Sequence, residues 1–147
     1  KQQRRREMPK RVGARRSLID LVPTVLDVFK IPVRPRAEVP ADDHDFLSGN
    51  TLLSDVFAKE GSEPEKRDIV IDMPAGPYND ARRALIHDDL KLIVSNEARF
   101  DLYDLASDPG EAQNIAKSSP ERFDKMKERY AAVKAWLREI KVTGKRR

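Results

Sequence analysis

Phe100-Asp101-Leu102-Tyr103-Asp104-Leu105-Ala106-Ser107-Asp108-Pro109-Gly110-Glu111-Ala112-Gln113-Asn114-Ile115-Ala116 is the stretch whose reading decides the fold. Phe100, Leu102 and Leu105 interleave with Asp101 and Asp104, which is the alternation of a half-buried strand, and Tyr103 falls on the polar side. Ser107 to Glu111 is turn chemistry. Asp108 can bond its own backbone two residues on, Pro109 presets φ, and Gly110 admits a positive φ. The segment is therefore predicted to be a strand that stops hard at a turn and hands over to a different kind of element.

That element is a long helix. A serine at 118 or 119 suits the N-cap, Pro120 takes an early position, and Glu121 can close a capping box with Ser118. Phe123, Met126, Tyr130, Val133, Leu137 and Ile140 recur at steps of three and four, giving one apolar stripe from Pro120 to about Lys141, with Trp136 at its margin. Before the strand lie three more short strand patterns, Asp68–Met73, Ala81–Ile86 and Leu90–Val94. Asp88-Asp89 and Asn96 to Arg99 are their turns, so the pairings are predicted to be antiparallel. The expected fold class is α+β: a small antiparallel sheet of about four strands covered by a long C-terminal helix.

Upstream, Ser17 to Phe29 reads as a helix with Asp20 at the N-cap, Pro23 in the first turn and Pro32 beyond its end. Leu18 and Ile19 are read as the end of a preceding strand. Leu21, Val22, Val25, Leu26, Val28 and Phe29 make a broad apolar face that needs more cover than this chain supplies. Residues 33 to 50 form a loop rich in Pro and Asp, and Thr51 to Phe57 a short helix.

The chain has 147 residues and a net charge of +4, unevenly placed. Residues 1–16 hold eight Lys/Arg against one Glu, and residues 141–147 hold four Lys/Arg and no acid, which leaves −7 between two basic tails. The first tail carries neither interleaved aromatics nor an amphipathic stripe, so a solvated linker is the plainer reading, and a module binding nucleic acid or an anionic surface is the rival one. No apolar run is long enough to cross a bilayer, and the absence of cysteine removes disulfides and thiolate chemistry. The chain begins at Lys1 rather than Met, which suggests a piece of a longer protein.

Leu102 to Ile115 resembles the run that closes the sheet of the C-terminal subdomain of sulfatases. Three further stretches are similar to the same family in order and spacing: Ser17-Leu18-Ile19-Asp20-Leu21-Val22-Pro23-Thr24, Gly49-Asn50-Thr51-Leu52-Leu53 with Thr51 for the usual Ser, and Arg82 to Ile86 followed by Leu90-Lys91-Leu92-Ile93 with Leu90 for the usual Tyr. Composition sets apart a basic flexible segment at 1–16, and the resemblance implies the end of a large alkaline-phosphatase-like α/β domain with a linker at 17–60 and the C-terminal subdomain at 61–147. It implies a parent that hydrolyses sulfate esters, with formylglycine and calcium or another divalent cation in an upstream catalytic domain. A sulfated small molecule or glycan is the implied substrate, and export from the cytoplasm is the implied location.

The family's maturation motif is Cys or Ser, any residue, Pro, Ser, Arg. The nearest string here, Ser118-Ser119-Pro120-Glu121-Arg122, has Glu121 where Ser belongs and is explained by helix capping. His44-Asp45, after Asp42-Asp43, and His87-Asp88-Asp89 read as solvated turns rather than cation sites. The expectation is a chain without a catalytic constellation. Its substrate-cleft candidates are Tyr78, Asn79, Arg82, Arg83 and His87, because Arg suits bidentate contact with sulfate or carboxylate oxygens. Against this stands strand alternation, which sends Arg82 and Arg83 to opposite faces and leaves at least one to pair with a nearby acid. Phosphate or phosphonate ester hydrolases share the implied architecture and are the alternative among enzymes. A structural module that docks a partner through the first helix is the alternative outside them.

Overall fold

The computed structural model describes residues 12–33, 48–59, 61–135 and 137. These form two compact units, one ending at Glu65 and the other running from Lys66 to Leu137.

The second unit is a four-stranded antiparallel sheet in the order β1-β2-β3-β4 with one helix on it. The strands are β1 (Ile69–Met73), β2 (Arg82–His87), β3 (Leu90–Ser95) and β4 (Arg99–Asp104). Two of the tight turns contain residues at positive φ, Asp88 (52°) in the first hairpin and Asn96 (50°) with Glu97 (57°) in the second. That backbone matches the right-handed twist of the flanking strands. The register sets Leu85 opposite Leu92 and Leu92 opposite Leu102, so one face carries Val70, Leu85, Leu92, Val94, Phe100 and Leu102.

Onto that face packs α3 (Pro120–Lys134), which buries Met126, Tyr130 and Val133. Leu85, Leu92 and Leu102 have no exposed surface, and each contributes about 1.5–3 kcal/mol by leaving water. Tyr130 meets Phe100 edge-to-face at 6.3 Å. The rim of the layer is pinned by ion pairs between helix and sheet: Arg122 to Asp104 at 2.7 Å, Arg129 to Asp68 at 2.6 Å and Lys134 to Glu97 at 2.6 Å.

The sheet-to-helix passage departs from the expectation in two ways. The positive φ falls on Glu111 (55°), not on Gly110. The carboxylate of Asp108 accepts from the amides of Ala112 and Gln113 at 3.1 and 2.8 Å, and Glu111 is drawn to Lys91 at 2.6 Å, which together fix the turn one residue later. Nor is there a capping box on α3. Ser119 is the N-cap without a side-chain bond, while Ser118 Oγ donates to the carbonyl of Ile115 at 3.3 Å. Ser118 is spent on the preceding turn, so Glu121 has no partner for the motif. The stripe faces the core through Leu137, and Trp136, Ile140 and Lys141 lie outside the described residues.

In the first unit, Leu18–Asp20 is a single 3-10 turn and not the end of a strand. Ser17 and Asp20 form a capping box there, which bends the backbone away from an extended path. Asp20 precedes α1 (Leu21–Val28) as expected, yet its side chain bonds no helix amide. It accepts instead from the amides of Ser17 (3.2 Å) and Asn50 (2.9 Å). Pro23 sits in the first turn. The helix stops ahead of Pro32, because Lys30 at φ 57° lets Ile31 N–H reach the carbonyl of Leu26 at 2.9 Å, a Schellman-type end.

Thr24 Oγ1 donates to Asp20 O (2.6 Å) and accepts from Leu52 N (2.8 Å), tying α1 to α2 (Leu53–Val56). Gly49 at φ 99° passes so close that a Cβ there would lie 2.6 Å from the carbonyl oxygen of Ile19. A buried fork from Arg16 to Asp55, at 2.6 and 2.7 Å, closes the unit. Of the loop read over 33–50, residues 34–47 lie outside the described residues, as do residues 1–11 of the basic segment.

Candidate functional site

The connection from β1 to β2 is where the sequence gathers Tyr78, Asn79, Arg82 and Arg83. Met73 opposite Arg82 is the last pair of the ladder, and the chain then runs Pro74 to Ala81 before re-entering the sheet. Gly76 and Asn79 bridge across this loop, with Gly76 N–H donating to the carbonyl of Asn79 at 3.0 Å. Asn79 Nδ2 donates to the carbonyls of Pro74 (2.9 Å) and Asp80 (3.3 Å). Asn79 thus holds the loop's shape, and Tyr78 at its tip is 100% exposed.

Arg82 and Arg83 lie on opposite faces, as alternation requires. Arg83 shares the helix-bearing face with Asp72, its cross-strand partner, and donates to it at 3.2 Å and to Glu97 at 3.0 Å. Glu97 also accepts from Lys134 at 2.6 Å and from the Tyr130 hydroxyl at 3.4 Å. The hydrogen bond from Lys134 is the main reason the Glu97 carboxyl titrates below its ordinary value, with the charge of Arg83 adding to it. Burial works against the charge on Arg83, but its bonding toward Tyr130 and Asp72 prevails and raises its pKa. Beside this network lies a cavity of about 220 Å³ lined by Asp72, Pro74, Ala75, Arg82, Arg83 and Glu97 among others. Among the described residues no partner engages Arg82.

His87 is not brought to this place. It sits at the other end of β2, opposite Leu90, where Nδ1 lies 2.8 Å from Asp68 Oδ1 and Nε2 lies 3.8 Å from Asp88. Asp68 also receives Arg129, and Asp88 receives Lys66 at 2.8 Å, which lowers the Asp88 carboxyl. His87 is therefore part of the rim that fastens β1 and α3. The sequence reading placed neither Asp72 nor Glu97 beside Arg83. The alternation of Asp72 on the strand pairing with β2 carried a signal for the first, whereas nothing in the turn Asn96-Glu97-Ala98 pointed to the second. Among the described residues no group of three His, Asp or Glu side chains is arranged to hold a metal ion. The cluster at His44-Asp45 lies outside them. No helix among them is long and apolar enough to cross a membrane.

The fold is thus a two-layer α+β unit, a four-stranded antiparallel meander under a single helix, preceded by a small helical unit. It is the fold of the C-terminal region of sulfatases. Among solved structures, a 2-O GAG sulfatase matches over 80% of this chain at 22% identity and a TM-score of 0.56, covering 23% of that protein. A protein solved in complex with its substrate D-glucosamine-2-N,6-O-disulfate matches over 83% of this chain at 22% identity and a TM-score of 0.54, covering 25% of its length. The phosphonate monoester hydrolase of Agrobacterium radiobacter matches over 84% at 22% identity and a TM-score of 0.56, covering 26%. The chain spans about a quarter of the length of the structures it matches. Neither a family model nor a curated protein sequence matches it.

Proposed function

We propose that this chain is the C-terminal portion of a sulfuric ester hydrolase, in which it packs on an upstream catalytic domain, helps shape the substrate cleft and has no activity alone. The observation that carries the reading is the match of at least 80% of the chain to about a quarter of a sulfatase and of a protein bound to a disulfated glucosamine substrate. Residues 17–60 then belong to the end of the large domain and residues 61–147 to the subdomain.

The apolar face of α1 supports the same reading. Leu21, Val22, Val25, Val28 and Phe29 are each more than half exposed, which is the surface a larger sheet would cover. Formylglycine and a divalent cation belong to the parent's chemistry, and among the described residues no group of acids and histidines is arranged to hold a cation. The chain has no cysteine. In the one string similar to the maturation motif, Ser119 and Pro120 begin α3 and Arg122 is bound to Asp104.

Expression of the longest open frame containing this sequence, beside the 147-residue chain alone, tests the proposal. Turnover of a sulfate monoester by the longer protein only is the expected result. Turnover by the short chain, or by neither, refutes it. The Agrobacterium hydrolase, at the same TM-score as the GAG sulfatase, favours a second reading in which the parent cleaves phosphonate or phosphate esters. A panel of sulfate and phosphonate monoesters at equal concentration separates the two by their ratio of kcat/KM.

A further inference from the structure

We infer that the β1–β2 end of the sheet is a subsite for a second anionic group carried on a substrate ring, with Arg82 as its cation and Tyr78 as its aromatic platform. The inference rests on the hydrolase reading above and reassigns the work among the five candidates. Arg83 is committed: its guanidinium is spent on Asp72 and Glu97, and its side chain is only 21% exposed. Asn79 is committed to the loop. His87 is at the wrong end of the strand. Arg82 and Tyr78 are left, and neither contributes a contact that the fold needs.

Charge supports the choice. The two carboxylates beside the cavity, Asp72 and Glu97, are matched by Arg83 and Lys134, so that network sums to zero, and among the described residues no acid is paired with Arg82. A guanidinium is the side chain best shaped to hold a sulfate or carboxylate by two parallel bonds.

Size agrees as well. A cavity of about 220 Å³ is smaller than the ~300–1,000 Å³ that encloses a whole ligand, and it suits one group of a larger molecule. Tyr78 buries nothing in the chain, yet the loop presenting it is fastened by the Gly76–Asn79 bridge and by Asn79, so its backbone is already ordered and only the side-chain torsions remain to be fixed on binding. Tyr78 stands on the same β1–β2 connection that leads into Arg82, and an aromatic face can take the apolar side of a saccharide ring while a cation takes its anionic substituent.

The test uses the longer protein with two substrates, a disulfated hexosamine and 4-nitrophenyl sulfate, which lacks a second anion. Arg82→Ala is expected to raise the ratio of their KM values, disulfated over aryl, about tenfold. Tyr78→Ala raises it severalfold, and Arg82→Lys recovers part of the loss. A ratio unchanged in both alanine variants, with hydrolysis intact, overturns the subsite and leaves the hydrolase reading standing. If the longer protein hydrolyses no ester, that reading falls, and titration of the 147-residue chain with the disulfated hexosamine, followed by amide chemical shifts, decides the subsite independently. Shifts confined to residues 74–83 that vanish in Arg82→Ala support it, and no shifts at millimolar ligand overturn it.

Discussion

Asn114 closes the free edge of β4, and its removal should be among the most costly polar substitutions in the second unit. Its Oδ1 accepts from the amides of Leu102 (3.1 Å) and Ala116 (2.9 Å), and its Nδ2 donates to Asp101 Oδ1 (2.7 Å). Beside it, Ile115 N–H donates to the carbonyl of Leu102 at 2.8 Å, so one side-chain and one backbone bond cover the edge of β4 at Leu102. In Asn114→Ala the Leu102 amide, in a residue with no exposed surface, loses its acceptor, at about 1–3 kcal/mol for an orphaned buried donor. The Ala116 amide is exposed and rehydrates cheaply. Asp101 keeps Arg99 at 3.0 Å, which moderates its loss.

A net cost of roughly 1–3 kcal/mol results, or a fall in Tm of roughly 4–24 °C for a unit of this size. Differential scanning calorimetry and urea titration measure it. A second variant checks the mechanism. Asn114→Asp keeps both acceptors but sets one carboxylate against another, and like charges so close resist joint ionisation. The folded pair therefore holds its proton more tightly than the unfolded chain does. Its stability is greatest at low pH and is lost as pH rises through the carboxylate range. The gap between Asn114→Asp and the unaltered chain should narrow from pH 7 to pH 4. A Tm change under 3 °C for Asn114→Ala, or a pH-independent gap for Asn114→Asp, would refute the reasoning.

Gly49→Ala meets both a positive φ and the Ile19 carbonyl, and is expected to destabilise the first unit by about 1–3 kcal/mol, read as loss of α1 ellipticity on mild heating. Asp55→Ala strips the acceptors from Arg16, whose side chain is 12% exposed, and should cost about 3 kcal/mol, whereas Asp55→Asn, which keeps one acceptor, should cost less; equal costs count against a bidentate role. Glu97→Gln should lower the urea midpoint at pH 7. Because Lys134 holds the Glu97 carboxyl below its ordinary value, that contribution is present above the ordinary carboxylate range and is lost as the pH falls through the lowered folded value, so the two proteins should converge as the pH is taken below it.

The strands and the C-terminal helix were legible because each depends on one period, although in β1 the period named the wrong face: Ile69, Ile71 and Met73 lie on the side away from the core, and Val70, opposite Leu85, packs on it. Alternation in Leu90–Ser95 and Arg99–Asp104, and three-and-four spacing from Phe123 to Leu137, are consequences of burying one face. What misled was chemistry with two possible partners. Ser118 had a capping role open to it and took the carbonyl of Ile115, and Asp20 had helix amides within reach in sequence and took Ser17 and Asn50. A local motif names one of several partners within reach: Ser118 found an acceptor three residues back, and Asp20 found donors three and thirty positions away. At the candidate site the same limit applies. Alternation separated Arg82 from Arg83, but Glu97 reaches Arg83 through a hairpin whose sequence has no mark of it.

The two units satisfy their apolar residues in different ways. Leu85, Leu92, Val94 and Leu102 are enclosed by α3, and the ions at the rim of that layer are paired, so the sheet and helix complete one another. The first unit is held by polar ties, Arg16 to Asp55, Asp20 to Asn50 and Thr24 to Leu52, while Leu18, Leu21, Val22, Val25, Val28, Phe29 and Ile31 stay more than half exposed. Polar ties fix a geometry, but they do not remove apolar surface from water, which is the larger driving force. A helix shaped by such ties and left bare on its apolar side is built to be covered by something else. That exposed face is independent of any structural likeness, and it supports the reading proposed above, in which a further domain lies against α1.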